Sequence, residues 1–240
     1  LRRAKFILGE YFMIRIKWFG HAAFSVNIDG RIFYVDPWIK NPLNPDKRIP
    51  EEAPDYIIVT HDHGDHIGET IEIMKKHSKS KLIAIYEIAS SIAKEIGAEE
   101  RVIGANIGGP INLGDGYKVI LTVAEHSSER GNATGAVFGK EGKYVYHAGD
   151  TGLTYDMKLI GELYKPVVAL LPIGGHFTMG PMEAACATQM INPKYVIPMH
   201  YKTFPIIAGS PEEFKKYLDE MKVKVELIVL KPGEEVTLKV

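Results

Sequence analysis

Residues 14–20 (IRIKWFG), 23–28 (AFSVNI) and 31–36 (RIFYVD) concentrate apolar and β-branched side chains in short runs separated by brief polar breaks. Runs of this length predict β-strands. Asp29-Gly30, between the second and third, can take the positive φ of a hairpin turn. Residues 37–54 form a Pro- and Asn-rich loop, and 55–60 (DYIIVT) read as a strand covered on both faces. Helical spacing follows over 67–77 (Ile67, Ile71, Met74), then a strand over 81–86 and a helix over 87–97 ending at Gly97. Strands are predicted over 117–124, 134–139, 143–149 and 167–173, then a helix over 181–191 opened by Pro181 and a strand over 195–199. A helix over 210–221 has Ser210 as N-cap, Pro211 in first helical position and Glu213 to complete a capping box. Strands over 224–230 and 234–240 close the chain.

Strands open each half, helices then alternate with strands, and no linker divides the halves. The pattern predicts an α/β fold of two sheets packed together with helices outside, four layers in one domain over 13–240. Residues 1–12 read as an N-terminal extension, their apolar stretch too short and interrupted for a signal peptide.

Composition narrows the function classes. The net charge of −1 supplies no global field for nucleic acid or an anionic membrane. The single cysteine, Cys186, excludes an internal disulfide, and no apolar run is long enough to span a bilayer. A cytoplasmic protein acting on a small molecule is expected, with no nucleic-acid partner and no membrane insertion; a homo-oligomer is compatible with the sequence but specified by nothing in it. Gln189 is the sole glutamine in a chain rich in Lys and Glu, which fits a thermophilic source.

The chemistry concentrates at residues 61–66, HDHGDH, directly after the buried strand at 55–60. His61 and His63 share a face while the chain stays extended. Gly64 permits a sharp turn, after which Asp65 and His66 can point back from the next helix. Imidazole with carboxylate suits zinc, and also manganese, iron or nickel. Further candidates stand just past apolar strands: His126, Asp150 and His200.

HDHGDH resembles the H-x-H-x-D-H signature of the metallo-β-lactamase fold superfamily, and AEHSS (His126), AGDTG (Asp150) and PMHY (His200) resemble its later motifs in order. KWFGHAAFSV and LLPIGGHFTMGPMEAA resemble a branch of metal-dependent hydrolases related to L-ascorbate-6-phosphate lactonase and N-acyl phosphatidylethanolamine phospholipase D. The resemblance implies an αββα sandwich of two mixed sheets flanked by helices. It implies two divalent cations, zinc foremost: one held by His61, His63 and His126, the other by Asp65, His66 and His200, with Asp150 bridging. Hydroxide held between them would cleave an ester, lactone or phosphodiester in a small substrate, an anionic one included.

Asp65, His21 and His176 are the residues assigned to catalysis. Gly174, Gly175, His176 and Thr178 form a Gly-rich loop before a helix and are expected to line the substrate pocket, where backbone N–H groups could meet an anion. Asp36 is expected to hold the metal loop, Asp62 to point away and stabilise that loop or a ligand imidazole, His147 to pack in the core or behind the ligands, Cys186 to pack, and His77 to be solvated. Competing readings are a nuclease, an oxygen- or nitric-oxide-reducing di-iron protein, a thioesterase of the glyoxalase II kind and a non-catalytic metal-binding module. Length and charge disfavour the first, His63 and length the second, the lack of an appended helical domain the third, and the intact ligand set the last.

Overall fold

The computed structural model describes residues 13–240; the extension expected over 1–12 lies outside them. Strands β1 (Met13–Gly20), β2 (Ala23–Ile28) and β3 (Arg31–Val35) form an antiparallel meander. The chain then runs parallel through β4 (Tyr56–Ile58), β5 (Lys81–Ile85) and β6 (Val102–Ala105). Their crossovers carry α1 (Gly64–Ile67), α2 (Thr70–Lys76) and α3 (Tyr86–Ile96). The last strand, β14 (Glu235–Lys239), returns antiparallel to β1, giving a seven-stranded mixed sheet in the order β14-β1-β2-β3-β4-β5-β6.

The second sheet also has seven strands, β13-β12-β11-β10-β9-β8-β7. Its β7 (Pro110–Gly114), β8 (Tyr117–Val123), β9 (Thr134–Gly139) and β10 (Val145–His147) are antiparallel neighbours. Its β11 (Val168–Pro172), β12 (Tyr195–Met199) and β13 (Glu226–Leu227) continue parallel from β10. Helices α4 (Asp156–Tyr164), α5 (Pro181–Ile191) and α6 (Pro211–Glu220) accompany this sheet.

Two cores hold the layers together. Ile14, Phe24, Phe33 and Tyr56 of the first sheet join Val119, Phe138, Tyr146 and Leu170 of the second, with Met157, Ala184 and Phe214 of the helices in the same cluster. The smaller cluster packs Tyr34, Ile57 and Leu82 against Ile73, Met74, Ile88 and Ile92 of α2 and α3. The result is the expected αββα sandwich. Burying these side chains is the main favourable term in folding, about 1.5–3 kcal/mol for each large one.

Several expectations are corrected. The helix over 67–77 is split: Gly68 takes φ +43, and a Cβ there would lie 2.4 Å from Trp38 Cα, so the chain turns to let the 36–38 loop pass. Edge strands β6 and β7 escaped the reading because they are short, Gly- and Asn-containing and only partly buried. Helix α4 did so because Gly161 interrupts its sequence pattern, although that glycine lets α4 approach the Ile191 carbonyl of α5. The strand expected over 224–230 pairs only at Glu226–Leu227. At α6, Ser210 Oγ accepts the Glu213 N–H at 3.2 Å, and the Glu213 carboxylate accepts the Ser210 hydroxyl rather than a backbone amide. His77 is half-buried, its Nε2 donating to the Pro50 carbonyl at 3.0 Å, not solvated.

Candidate metal centre

Past β4 the chain stays extended: Val59 N–H donates to Ile83 O, and Thr60 N–H to Asp36 Oδ1 at 2.8 Å. This delivers His61 and His63 to one edge of the sandwich. Gly64 then opens α1, bringing Asp65 and His66 back over the same volume. His126 follows β8 and His200 follows β12. Asp150 follows β10 through Gly149, whose φ of +64 and missing Cβ let the chain turn against the Thr134 carbonyl.

All seven candidates converge. Nitrogens of His61, His63 and His126 lie within 4.8 Å of one another, as do ligand atoms of His21, Asp65, His66 and His200. Asp150 stands between the groups: its Oδ2 is 2.9 Å from His200 Nε2, 3.3 Å from His66 Nε2 and 3.6 Å from His126 Nε2. Ligands of one tetrahedral zinc, each about 2.0–2.1 Å from the ion, sit roughly 3.3 Å apart. These contacts match that spacing and are misaligned as hydrogen bonds. His66 Nε2, Asp150 Oδ1 and both ring nitrogens of His200 are buried with no hydrogen-bond partner. Leaving such groups unpaired costs about 1–3 kcal/mol each, and a shared cation satisfies ligand lone pairs aimed at one point.

A single buried carboxylate orients two of the rings. Asp36 accepts from Thr60 N, from Thr60 Oγ1 at 2.6 Å and from His66 Nδ1 at 2.7 Å. With its proton committed to Asp36, Thr60 Oγ1 accepts the His61 Nδ1–H at 3.0 Å. Both histidines therefore turn Nε2 inward, the second-layer arrangement of a metal site. His147 donates Nε2–H to the Ala22 carbonyl at 2.9 Å and accepts Gly149 N–H at 3.1 Å, tying the approach to His21 to the turn before Asp150. Asp62 points away from the rings and accepts from Ser128 Oγ, Glu129 N and Arg130 Nε, fastening the His126 loop to the metal loop. Cys186 is partly buried, its Sγ 3.9 Å from Met221 Sδ.

His21 is completely buried, with Nε2 3.0 Å from Asp65 Oδ2 and Nδ1 2.8 Å from Thr203 Oγ1. Because a carboxylate only accepts, Nε2 carries the proton and Nδ1 accepts from the threonine. Both nitrogens are thus occupied in orienting Asp65. His200 N–H donates to the His21 carbonyl at 3.0 Å, and His21, Asp36 and His200 all hold positive φ without being glycine. Such strain persists where surrounding structure over-determines it.

Burial, reinforced by His66, pushes His61 down to about 3; burial outweighs Asp65 to push His21 down to about 4. Burial also lowers His126. At His66 burial opposes charge, but Asp150 and Asp36 outweigh it and hold the imidazole well above its usual value. Burial likewise opposes ionisation of Asp150, and His66 and His200 overcome it. The carboxylates thus draw positive charge to the point between them.

A cavity of about 280 Å³ opens beside these groups, lined by His63, Asp65, His126, Asp150 and His200 with Ser127, Phe177 and Phe204. Larger hollows elsewhere, such as one of about 890 Å³ beside Tyr144 and Lys118, contain none of the clustered histidines. Gly174, Gly175, His176 and Thr178 are not among the lining residues; their loop contributes Phe177 instead. Gly174 has another task, since a Cβ there would lie 2.2 Å from the His200 carbonyl. Phe177, Phe204, Trp38 and Thr203 were not singled out from sequence. An isolated aromatic in a loop carries no periodicity or ligand chemistry to mark it.

A family model described as a β-lactamase superfamily domain matches residues 31–201. The chain is 52% identical over 223 residues to a UPF0173 metal-dependent hydrolase of Hyperthermus butylicus, covering 91% of this chain and 97% of that one. It is 52% identical over 234 residues to another of Aeropyrum pernix, covering 92% and 96%. Among solved structures it matches Igni18, a metallo hydrolase from the hyperthermophilic archaeon Ignicoccus hospitalis, with TM-score 0.87 and 43% identity over 95% of this chain and 99% of that one. The metallo-β-lactamase fold protein YhfI of Bacillus subtilis shares the fold at TM-score 0.72 and 12% identity, over 95% and 100%.

Proposed function

The chain belongs to the metallo-β-lactamase superfamily of metal-dependent hydrolases, and on that footing we propose that it cleaves an ester, lactone or phosphodiester bond in a small molecule, using two divalent cations. His61, His63 and His126 would hold one cation and Asp65, His66 and His200 the other, with Asp150 shared. Zinc suits this nitrogen-rich set best, and manganese, iron and nickel are compatible with it. When bound, the pair would lower the pKa of water toward about 7 and polarise the bond to be cleaved.

The observation that carries this reading is that His66 Nε2 and His200 Nε2, both buried without a hydrogen-bond partner, stand 3.3 and 2.9 Å from Asp150 Oδ2, at ligand-to-ligand distances. The chain's own residues do the rest. Asp36 and Thr60 engage Nδ1 of His66 and His61, so that Nε2 of each ring is the nitrogen turned to the centre for a cation to take. His21, braced by Thr203, fixes the carboxylate of Asp65. The test is metal analysis of protein expressed with supplemented metal, coupled to a screen of lactones, thioesters and phosphodiesters. Two ions per chain and turnover that disappears in folded His63→Ala are expected; fewer than one ion per chain defeats the reading.

A further inference from the structure

The cavity beside the ligand cluster carries two aromatic side chains that the fold leaves open to solvent, Phe177 at 52% and Phe204 at 37% exposure. Both are held in place. Phe204 stacks on Trp38 with ring centroids 6.1 Å apart and meets His21 edge-on at 5.7 Å, which sets it beside the Asp65 group. Phe177 stands on a turn closed by Gly175 N–H to Met179 O, and Met179 N–H donates to Thr151 O at 2.9 Å. That bond joins the turn to the loop after Asp150, which exposes Leu153 and Tyr155. Large apolar groups left in water around a polar centre mark a binding surface.

Charge points the same way. Among the described residues no Lys or Arg lines this cavity. Arg130, nearest along the His126 loop, is engaged by Asp62 at 2.7 Å and by Ser91. Lys202, just past His200, is not a lining residue. The N–H groups of Gly175, Phe177, Met179 and Gly180 donate to Met179 O, Gly175 O, Thr151 O and Glu183 Oε2, so this loop withholds them from an anion. A cavity of about 280 Å³ sits at the small end of ligand sites.

Resting on the hydrolase reading above, we propose that the substrate is compact, carries an uncharged aryl or branched alkyl group packed against Phe177 and Phe204, and has no phosphate or carboxylate away from the reacting bond. These two phenylalanines set specificity.

The test is a binding experiment that needs no turnover. Zinc-loaded protein, its metal content measured in the same sample, is titrated calorimetrically with acetohydroxamate, benzohydroxamate and phosphonoacetohydroxamate. These share one chelating head and differ in a methyl, aryl or anionic tail. Benzohydroxamate is expected to bind at least about tenfold tighter than acetohydroxamate, as burial of a ring warrants. Phe177→Ala and Phe204→Ala should each narrow that ratio, and the double variant should bring it below about threefold. Equal affinities for the aryl and methyl probes, tightest binding of the phosphonate, or an unchanged ratio in the double variant overturns the proposal while leaving the hydrolase reading intact. Protein that takes up no zinc defeats the hydrolase reading, and this one with it.

Discussion

Asp36 and His66 are joined by a hydrogen bond of 2.7 Å, Nδ1–H to Oδ2, with both side chains fully buried. The same carboxylate reaches His61 through Thr60, so one residue 25 positions ahead of His61, as the numbering shows, sets the tautomers of ligand candidates on both sides of the centre. Asp36→Asn keeps the shape but replaces an acceptor that serves three donors. Metal affinity should fall about 10–100-fold, the usual effect of losing a second-layer partner. Competition with a chromophoric chelator reads it; unchanged affinity would show that Asp36 serves the loop alone.

His21 offers a sharper discrimination between the two halves of the centre. It contacts Asp65 and, through its carbonyl, the backbone of His200, but none of the His61, His63 and His126 group at hydrogen-bond distance. If the centre holds the two cations proposed, His21→Ala should lower retained metal toward one ion per chain, weakening the Asp65 side by about 10–100-fold. Mass-spectrometric metal counts after dialysis decide this. Equal loss of both ions would contradict the assignment.

Gly174 meets a packing requirement. Gly174→Ala drives a Cβ into the His200 carbonyl and Ile207 Cβ, and backbone cannot yield as a flexible side chain does. A loss of about 1–3 kcal/mol is expected in denaturant unfolding. Gly152→Ala, whose added Cβ meets nothing within 4 Å, should stay within about 0.5 kcal/mol of the parent.

Asp29 links the β2–β3 hairpin of the first sheet to Lys140 and Lys143, around the β9–β10 turn of the second. Burial favours the neutral acid, but the two lysines outweigh it and hold the carboxyl below its usual value. A depressed folded-state pKa contributes stability above the unfolded value, about 3.9, and that contribution disappears as pH falls through the folded one. Asp29→Asn should cost a few tenths of a kcal/mol up to about 1 kcal/mol at pH 7, given partial exposure. The difference from the parent should shrink as pH falls below the unfolded value and vanish once it has passed the depressed folded one. Urea midpoints at pH 7 and in acid test this, and a difference that persists in acid would assign the effect to packing.

The centre's ligand candidates were legible because their chemistry is local: HDHGDH compresses four metal-liking residues into one strand-to-helix turn, and His126, Asp150 and His200 each follow a strand whose period-two or continuous apolar pattern is strong. The strands of the inner layers were legible for the same reason. Edge strands β6 and β7 and helix α4 were not, because partial burial weakens the hydrophobic pattern and Gly161 interrupts the helical one.

By itself the sequence determined which side chains could bind a cation and which segments must be buried, since both follow from residue type and short-range spacing. Tertiary structure alone decided that His21 spends both nitrogens on Asp65 and Thr203, and that Asp36 governs two imidazoles. It also decided that Phe177, not His176, faces the cavity beside Phe204. Those relations join residues from different strands and loops, and their distances depend on how two sheets pack, a property that no window along the chain contains.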